Sequence, residues 1–290
     1  MRDNSKRTSA AADPAPAVAE ATNTLEFSTP TNSLFDFVSP TQIVELPTKG
    51  RFYPEGHPLH NQETVEIKYM TAKDEDILTS PSLLKKGLAI DRFIRNILLD
   101  KRIGVQTLLS GDKNAILVSS RINGFGAAYT TKVNCPACTA VQENTFDLSE
   151  VQEYDGTEDQ SEYDISETEH NTFIIKLPRT KFEVETRLLT SRDENELAEK
   201  MKANKKRSAY ETNLTDQLRK IIVSINGVED LKVINQFMTN LPAFDSRYLR
   251  AAYRTVVPGL DMTQHFACDA CGYEKEVDIP LTVDFFWSKQ

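Results

Sequence analysis

The stretch NCPACTA, residues 134–140, contains two cysteines three positions apart, and ACDACGY, residues 267–273, repeats that spacing. The 290-residue chain has four cysteines, so these two C-x-x-C pairs account for all of them. A C-x-x-C turn directs two thiolates at one point, and two such turns complete a tetrahedral zinc site. The spacing therefore predicts one structural zinc ion per chain. Its ligands would be Cys135, Cys138, Cys268 and Cys271.

Two other uses of the cysteine pairs are open at this point. A thioredoxin-like redox pair would open a helix after a strand, and neither pair precedes a convincing amphipathic helix. Two separate half-sites, each completed by a partner protein, are a less economical arrangement. A closed shell of four thiolates leaves no position for water or substrate, so the predicted metal is structural and not catalytic.

No other group of residues suggests catalysis. The motif GDKNA, residues 111–115, lacks the G-x-x-x-x-G-K-S/T pattern of a phosphate-binding loop. The histidines are scattered along the chain, at His57, His60, His170 and His265. His265 is three residues before Cys268, and the simplest interpretation is a histidine on the face of a strand. We therefore expect that the chain is not an enzyme.

The composition is that of a globular chain with acidic charge. Hydrophobic residues make up 39% and charged residues 27% of the chain, and the net charge is −9 at pH 7. Nucleic-acid binding relies on basic surface that displaces counterions from phosphates, so we expect no nucleic-acid partner. No segment approaches the roughly 20 apolar residues that span a bilayer, and the N-terminus has no signal-peptide core. These features predict a cytoplasmic location without a membrane partner.

Two segments are predicted to separate or flank the folded parts. Residues 1–42 are rich in Ala, Thr, Ser and Pro, and such a stretch buries too little apolar surface to offset its ordering entropy. We expect a disordered N-terminal tail there. Residues 149–170 carry nine Asp or Glu and no Lys or Arg. Like charges at this density repel one another, so this segment is predicted to be an acidic linker.

The parts on either side of the linker repeat one order of segments. VEIKYMTAKDEDIL from Val65 resembles VETRLLTSRDENEL from Val184, and DRFIRNILLD from Asp91 resembles DQLRKIIVSI from Asp216. A third matching segment precedes each C-x-x-C pair. Apolar residues at helical spacing predict core-facing helices in both parts. They are Phe93, Ile94, Ile97 and Leu98 in the first part and Leu218, Ile221, Ile222 and Ile225 in the second.

The repeat predicts the architecture of the whole chain. We expect an α+β protein of two related halves, residues 43–148 and 171–290, that arose by internal duplication. Each half would contain a strand, three helices and a β-hairpin with the C-x-x-C pair at its tip. A pseudo-twofold arrangement would bring the two tips together, and the four-cysteine zinc site would join the halves.

The region between residues 44 and 285 resembles the baseplate hub assembly proteins of T-even-like contractile-tailed phages. A Leu-Pro-x-x-Gly-x-x-Tyr motif and a later order of Gly-Asp, helix, Arg-Ile, Gly, Tyr and Cys-Pro-x-Cys are similar to those of the family. The first motif is matched by Leu46, Pro47, Gly50 and Tyr53. The second is matched by Gly111, Asp112, Arg121, Ile122, Gly126, Tyr129, Cys135, Pro136 and Cys138. Some members of the family are short and look like one half of this chain.

The resemblance implies a function in phage tail assembly. It implies a non-enzymatic baseplate hub or hub-assembly protein, with phage hub and tail proteins as partners. Such a protein would be in the host cytoplasm during assembly and could stay in the tail baseplate of the virion. The alternative is a zinc-ribbon adaptor of a transcription or translation complex, against which the acidic charge weighs.

Overall fold

The computed structural model describes residues 40–157, 160–206, 213–279 and 283–286. Within these ranges the chain forms twelve strands and eight α-helices, so the predicted α+β class is confirmed. The chain from Ser39 onward forms one compact unit. The predicted N-terminal tail lies outside the described residues up to position 39, and its last two residues, Thr41 and Gln42, belong to the first strand.

The strands and helices are numbered in the order in which they follow one another along the chain. The strands are β1 (Thr41–Glu45), β2 (Thr64–Lys68), β3 (Ala128–Asn134), β4 (Val141–Asp147), β5 (Gln152–Tyr154), β6 (Ile165–Glu167), β7 (Phe173–Lys176), β8 (Glu183–Thr186), β9 (Ile222–Ile225), β10 (Gly259–Asp261), β11 (Thr263–Ala267) and β12 (Glu274–Asp278). The helices are α1 (Ala72–Thr79), α2 (Pro81–Lys86), α3 (Ala89–Ile97), α4 (Ser110–Phe125), α5 (Ser191–Lys206), α6 (Asn213–Ile221), α7 (Leu231–Asn240) and α8 (Ala243–Val256).

The sheets are small and their strands are antiparallel. Four of them are two-stranded, pairing β1 with β2, β3 with β4, β5 with β10, and β11 with β12. The fifth has four strands in the order β6, β7, β8, β9. The helices pack against these sheets around one continuous cluster of buried apolar side chains. Two of the two-stranded sheets, β3–β4 and β11–β12, are the hairpins that carry the cysteine pairs.

Residues 43–148 contain four α-helices, and so does the described part of residues 171–290, which is one more in each than the sequence predicted. The helical stripes also end earlier than expected. Leu98 follows α3 and forms a β-bridge with Ile67, while Ile222 and Ile225 belong to β9, which pairs with β8. The run Ile221–Ile222–Val223 is β-branched, and such residues pack well on a pleated sheet. Pairing with a neighbouring strand therefore overrides the helical periodicity at the ends of both stripes.

The acidic segment is not an open linker throughout, because it contributes strands to two sheets. β5 pairs with β10 near the C-terminal hairpin, and β6 forms one edge of the four-stranded sheet. Basic residues of the first half offset part of its charge: Lys49 lies 3.1 Å from Asp155, and Arg51 lies 3.0 Å from Glu167. The sequence-based expectation missed these contacts because their basic partners lie about 100 positions earlier in the chain.

Two helices begin with the same Thr-x-x-Asp capping box. Before α1, Asp74 accepts hydrogen bonds from the backbone N–H and the hydroxyl of Thr71, at 2.9 and 2.7 Å. Before α5, Asp193 accepts the equivalent bonds from Thr190, at 3.0 and 2.8 Å. Both carboxylates also lie at the positive end of the helix dipole. The same local contact therefore sets the start of α1 and of α5.

A second repeated contact ties a loop of each half to a buried carboxylate in the first turn of a later helix. In the first half Asp112 of α4 accepts from the backbone N–H of Thr48 at 3.1 Å and from its hydroxyl at 2.7 Å. In the second half Asp245 of α8 accepts from the same two groups of Thr180, at 2.9 and 2.7 Å. Both threonines follow a Leu-Pro pair, in LPTK at residues 46–49 and LPRTK at residues 177–181.

The base of the first hairpin is anchored by a buried guanidinium. Arg121 of α4 is 1% exposed and donates to the carbonyl oxygen of Phe285 at 3.0 Å and to that of Gly126 at 2.8 Å. Phe285 packs edge-on against Tyr129 of β3, with 5.1 Å between ring centroids. The C-terminal segment therefore holds β3 against α4, which fixes the direction in which the hairpin points.

Candidate metal centre

Each cysteine pair lies in a turn closed by the same two backbone hydrogen bonds. The N–H of Cys135 donates to Ala140 and the N–H of Thr139 donates to Cys135, each at 2.9 Å. In the other hairpin the N–H of Cys268 donates to the carbonyl of Tyr273 at 2.8 Å, and that of Gly272 donates to Cys268 at 2.9 Å. The two turns therefore present their thiols in the same way.

The residue after the second cysteine is left-handed in both turns. Thr139 has φ of 61° and Gly272 has φ of 68°. Glycine adopts this region at little cost, whereas a β-branched threonine is strained there by about 1–3 kcal/mol. The first hairpin thus accepts backbone strain to keep the geometry that the second obtains with glycine. Such strain at a turn that does not bury apolar surface points to a requirement for the position of the thiols.

The structure brings the four cysteines together. Their sulfur atoms lie within 4.8 Å of one another, with 3.8 Å between the sulfurs of Cys135 and Cys271 and 3.7 Å between those of Cys138 and Cys268. A disulfide needs about 2.05 Å, and all four cysteines are free. A tetrahedron of sulfurs with Zn–S bonds of about 2.3 Å has edges of about 3.8 Å. The spacing therefore fits a four-thiolate metal site.

The surroundings of the thiols differ from one cysteine to another. Cys135 and Cys268 are buried, whereas Cys138 and Cys271 are exposed. Burial raises the pKa of Cys135, but backbone N–H groups of Cys138 and Ala137 outweigh it and bring that pKa down to about 7. The N–H of Tyr273 lowers the pKa of Cys271, yet hydrogen bonds with the other three thiols raise it to about 12. Four negative thiolates at this spacing would repel one another, and a bound cation would offset that repulsion.

Two glutamines fasten the hairpins to each other beside the cysteines. The amide of Gln142 donates to the carbonyl of Ala267 at 2.8 Å and accepts from the N–H of Asp269 at 2.9 Å. Gln264 pairs in the same way with the backbone of Asp147, accepting from its N–H at 3.1 Å and donating to its carbonyl oxygen. Neither glutamine could be identified from the sequence, because a glutamine among other polar residues of a strand carries no distinctive signal.

None of the four histidines lies in the cysteine cluster. His265 lies on β11 opposite Glu276 and is exposed, as expected for a histidine on a strand face. His57 contacts Thr107 at 2.9 Å, and His60 accompanies it in the loop between β1 and β2. His170 lies in the turn before β7. The only ligand set that the sequence predicted for a metal is thus also the set that the structure assembles.

A comparison with protein families assigns the chain. A family model described as T4 bacteriophage base plate protein matches residues 40–287, which includes both hairpins. The chain belongs to this family. The resemblance seen in the sequence to phage baseplate proteins is therefore confirmed, and association with other phage tail or baseplate proteins follows from it at the level of the family. Neither the curated proteins nor the solved structures yield a match.

The family is one of baseplate structural proteins, and its description names no enzymatic activity. This assignment favours the phage interpretation over the zinc-ribbon adaptor of a transcription or translation complex. Among the described residues of the chain, no helix is long and apolar enough to cross a membrane.

Proposed function

We propose that this baseplate protein is a non-enzymatic hub or hub-assembly protein in which one zinc ion clamps two duplicated halves. The observation that carries the proposal is the sulfur tetrahedron, since its two cysteine pairs come from hairpins more than 100 residues apart. A structural zinc site contributes directly to folding free energy. In this chain the zinc would fix the angle between the halves, and any surface that spans both would depend on it.

Several repeated contacts support the duplication. The capping boxes before α1 and α5, the threonine contacts to Asp112 and Asp245, and the two cysteine turns occur in the same order in both halves. These are polar contacts of particular atoms, which short apolar patterns would not reproduce by chance. The proposed halves are residues 43–148 and 171–290, and the short members of the family would correspond to one of them.

The partners we propose are phage hub and tail proteins. Assembly would take place in the host cytoplasm, after which the protein would stay with the tail. The adaptor function remains the competing candidate, since hairpin-tip cysteine pairs also suit a zinc ribbon. Retention on DNA or RNA that weakens with salt would favour the adaptor, because it would reveal phosphate contacts.

Removal of the gene from the phage tests the proposed function. Infected cells should then accumulate tails that lack a complete baseplate, and a plasmid copy of the gene should restore it, because the hub is the centre on which the baseplate is built. Electron microscopy of lysates provides the measurement. Complete baseplates and normal infectivity without the chain would rule out the hub assignment.

A further inference from the structure

The two halves differ in how they cover the residues that lead into α4 in the first half and into α8 in the second. In the first half, LPTK is followed by residues 50–63, an insertion that leads to β2. In the second half, Phe182 alone separates LPRTK from β8. The LPTK and LPRTK segments match up to their last residue, because Lys49 and Lys181 both have a left-handed backbone conformation, with φ of 49° and 60°. The second half therefore lacks a loop that the first half has.

The inserted loop buries an aromatic side chain against the start of α4. Tyr53 is 1% exposed; its hydroxyl donates to Asp112 at 2.7 Å and accepts from the N–H of Leu109 at 3.1 Å. Leu59 of the same loop is also buried, and His57 reaches Thr107. The loop thus covers residues 107–109, directly before α4. Burial is the largest cause that raises the pKa of Tyr53, and the charge of Asp112 raises it further. The hydroxyl therefore keeps its proton and acts as a hydrogen-bond donor.

No loop among the described residues covers the equivalent place in the second half, where Asn240 and Pro242 are exposed, whereas Leu108 and Leu109 are buried in the first half. Residues 240–242, directly before α8, line a groove of about 360 Å³ that also reaches β9 and α7. We call this the α7 groove; its apolar lining is Phe182, Ile225, Val228, Val233, Phe237, Leu241 and Pro242. Phe182, Val228 and Val233 are 37%, 44% and 38% exposed, and Leu231, two residues before Val233, is 72% exposed. Clustered apolar side chains of this kind on a surface mark interaction sites.

We propose that the α7 groove receives a loop of another baseplate protein that offers an aromatic ring with apolar neighbours, as residues 50–63 do in the first half. The described residues that line the groove include no charged side chain, which fits an uncharged apolar occupant. Asn226, Gln236 and Asn240 also line the groove. Asn226 already accepts from the N–H of Glu183 and Asn240 already donates to the carbonyl of Gln236, but each amide has hydrogen-bonding capacity left for the backbone of such a loop. A second copy of this chain is a poor occupant, because its own Tyr53 loop is already buried in its own first half.

The proposal rests on membership of the baseplate family and on the equivalence of the two halves, which is part of the proposed function, and not on the zinc site or the hub role. A failure of the hub assignment would appear in the gene-removal experiment, where baseplates would form without the chain. A failure of the groove would appear only when the groove itself is probed. The two neighbouring positions Val233 and Asn235 allow this, because both are exposed on α7 but Asn235 lies outside the groove.

Photocrosslinking in infected cells identifies the occupant. The full chain, carrying a benzophenone amino acid at position 233, should crosslink to a different phage tail protein, at a peptide that contains an aromatic residue. The same label at position 235 should give little of that product. Crosslinks from position 233 to this same chain or to a second copy, equal products at both positions, or no product in cells that assemble normal tails would each overturn the proposal.

A substitution tests whether the contact matters for assembly. Val233→Glu should lower the yield of infectious phage by about tenfold or more, because a charge would enter the centre of an apolar interface. Asn235→Glu, with the same added charge on the same helix, should leave the yield unchanged. Thermal unfolding of both purified variants shows whether the fold is intact. A normal yield with a correctly folded Val233→Glu variant would contradict the proposal.

Discussion

Cys271→Ser should lose zinc and fail to support baseplate assembly while keeping most of its helical far-UV signal. Three thiolates bind the ion more weakly than four, and the free energy of unfolding should fall by about 4 kcal/mol or more when the site is empty. The helices should remain, because they pack around the continuous apolar core, to which Cys271 does not contribute. Metal analysis, circular dichroism and complementation of a phage that lacks the gene measure the three effects.

Ala270→Ser is the matched control for this variant. It introduces the same side chain one position earlier, in the same exposed turn, without removing a sulfur. The control should retain zinc and restore assembly. Normal assembly by Cys271→Ser protein that is shown to be free of zinc would contradict the clamp, even if the wild-type protein contains the metal.

Asp112→Ala should be the most damaging single substitution outside the cysteines. The fully buried carboxylate accepts from the backbone N–H and the hydroxyl of Thr48 and from the hydroxyl of Tyr53. Removing it leaves these buried donors without an acceptor, and each buried unsatisfied donor costs about 1–3 kcal/mol. We expect a loss of about 3–5 kcal/mol in the free energy of unfolding, measured in urea at pH 7.

Two variants separate this contact from a general effect of the substitution. Asp245→Ala removes the equivalent carboxylate of the second half and should cost a comparable amount, because Asp245 also accepts from two backbone N–H groups and a hydroxyl. Asp76→Ala removes an exposed carboxylate of α1 and should cost less than about 0.5 kcal/mol. If Asp112→Ala were as mild as Asp76→Ala, Asp112 would not anchor the loop.

The sequence predicted the α+β class and the meeting of the four cysteines, and its Thr-x-x-Asp boxes mark two helix starts, because each of these features rests on a short local signal. A Thr-x-x-Asp box specifies a helix start through neighbouring atoms, and a C-x-x-C turn specifies where two thiols point. The prediction that the two turns meet also depended on the repeat, because the matching order of segments indicated an equivalent hairpin at the end of each half. The identity of the metal and its role as a clamp remain predictions.

The features that were missed depend on contacts between distant residues. Ile222 and Ile225 continue a helical pattern in sequence, but β8 offers them a strand partner. The acidic charge of residues 149–170 suggested an open chain. Backbone hydrogen bonds between strands form whatever the charge of the side chains, and β5 pairs with β10 in this way. Lys49 and Arg51 also form ion pairs with two of the acidic residues. The repeated LPTK and LPRTK motifs could have revealed the loop anchors, since each precedes a threonine contact to a buried aspartate.

X-ray absorption at the zinc edge, combined with metal analysis of the same sample, tests the central claim most directly. Protein purified under reducing conditions without chelator should contain about one zinc per chain, coordinated by four sulfur atoms at about 2.3 Å. That result would place both cysteine pairs on a single ion. Two zinc ions per chain, a first shell that mixes sulfur with nitrogen or oxygen, or protein without zinc would contradict the joint site that clamps the two halves.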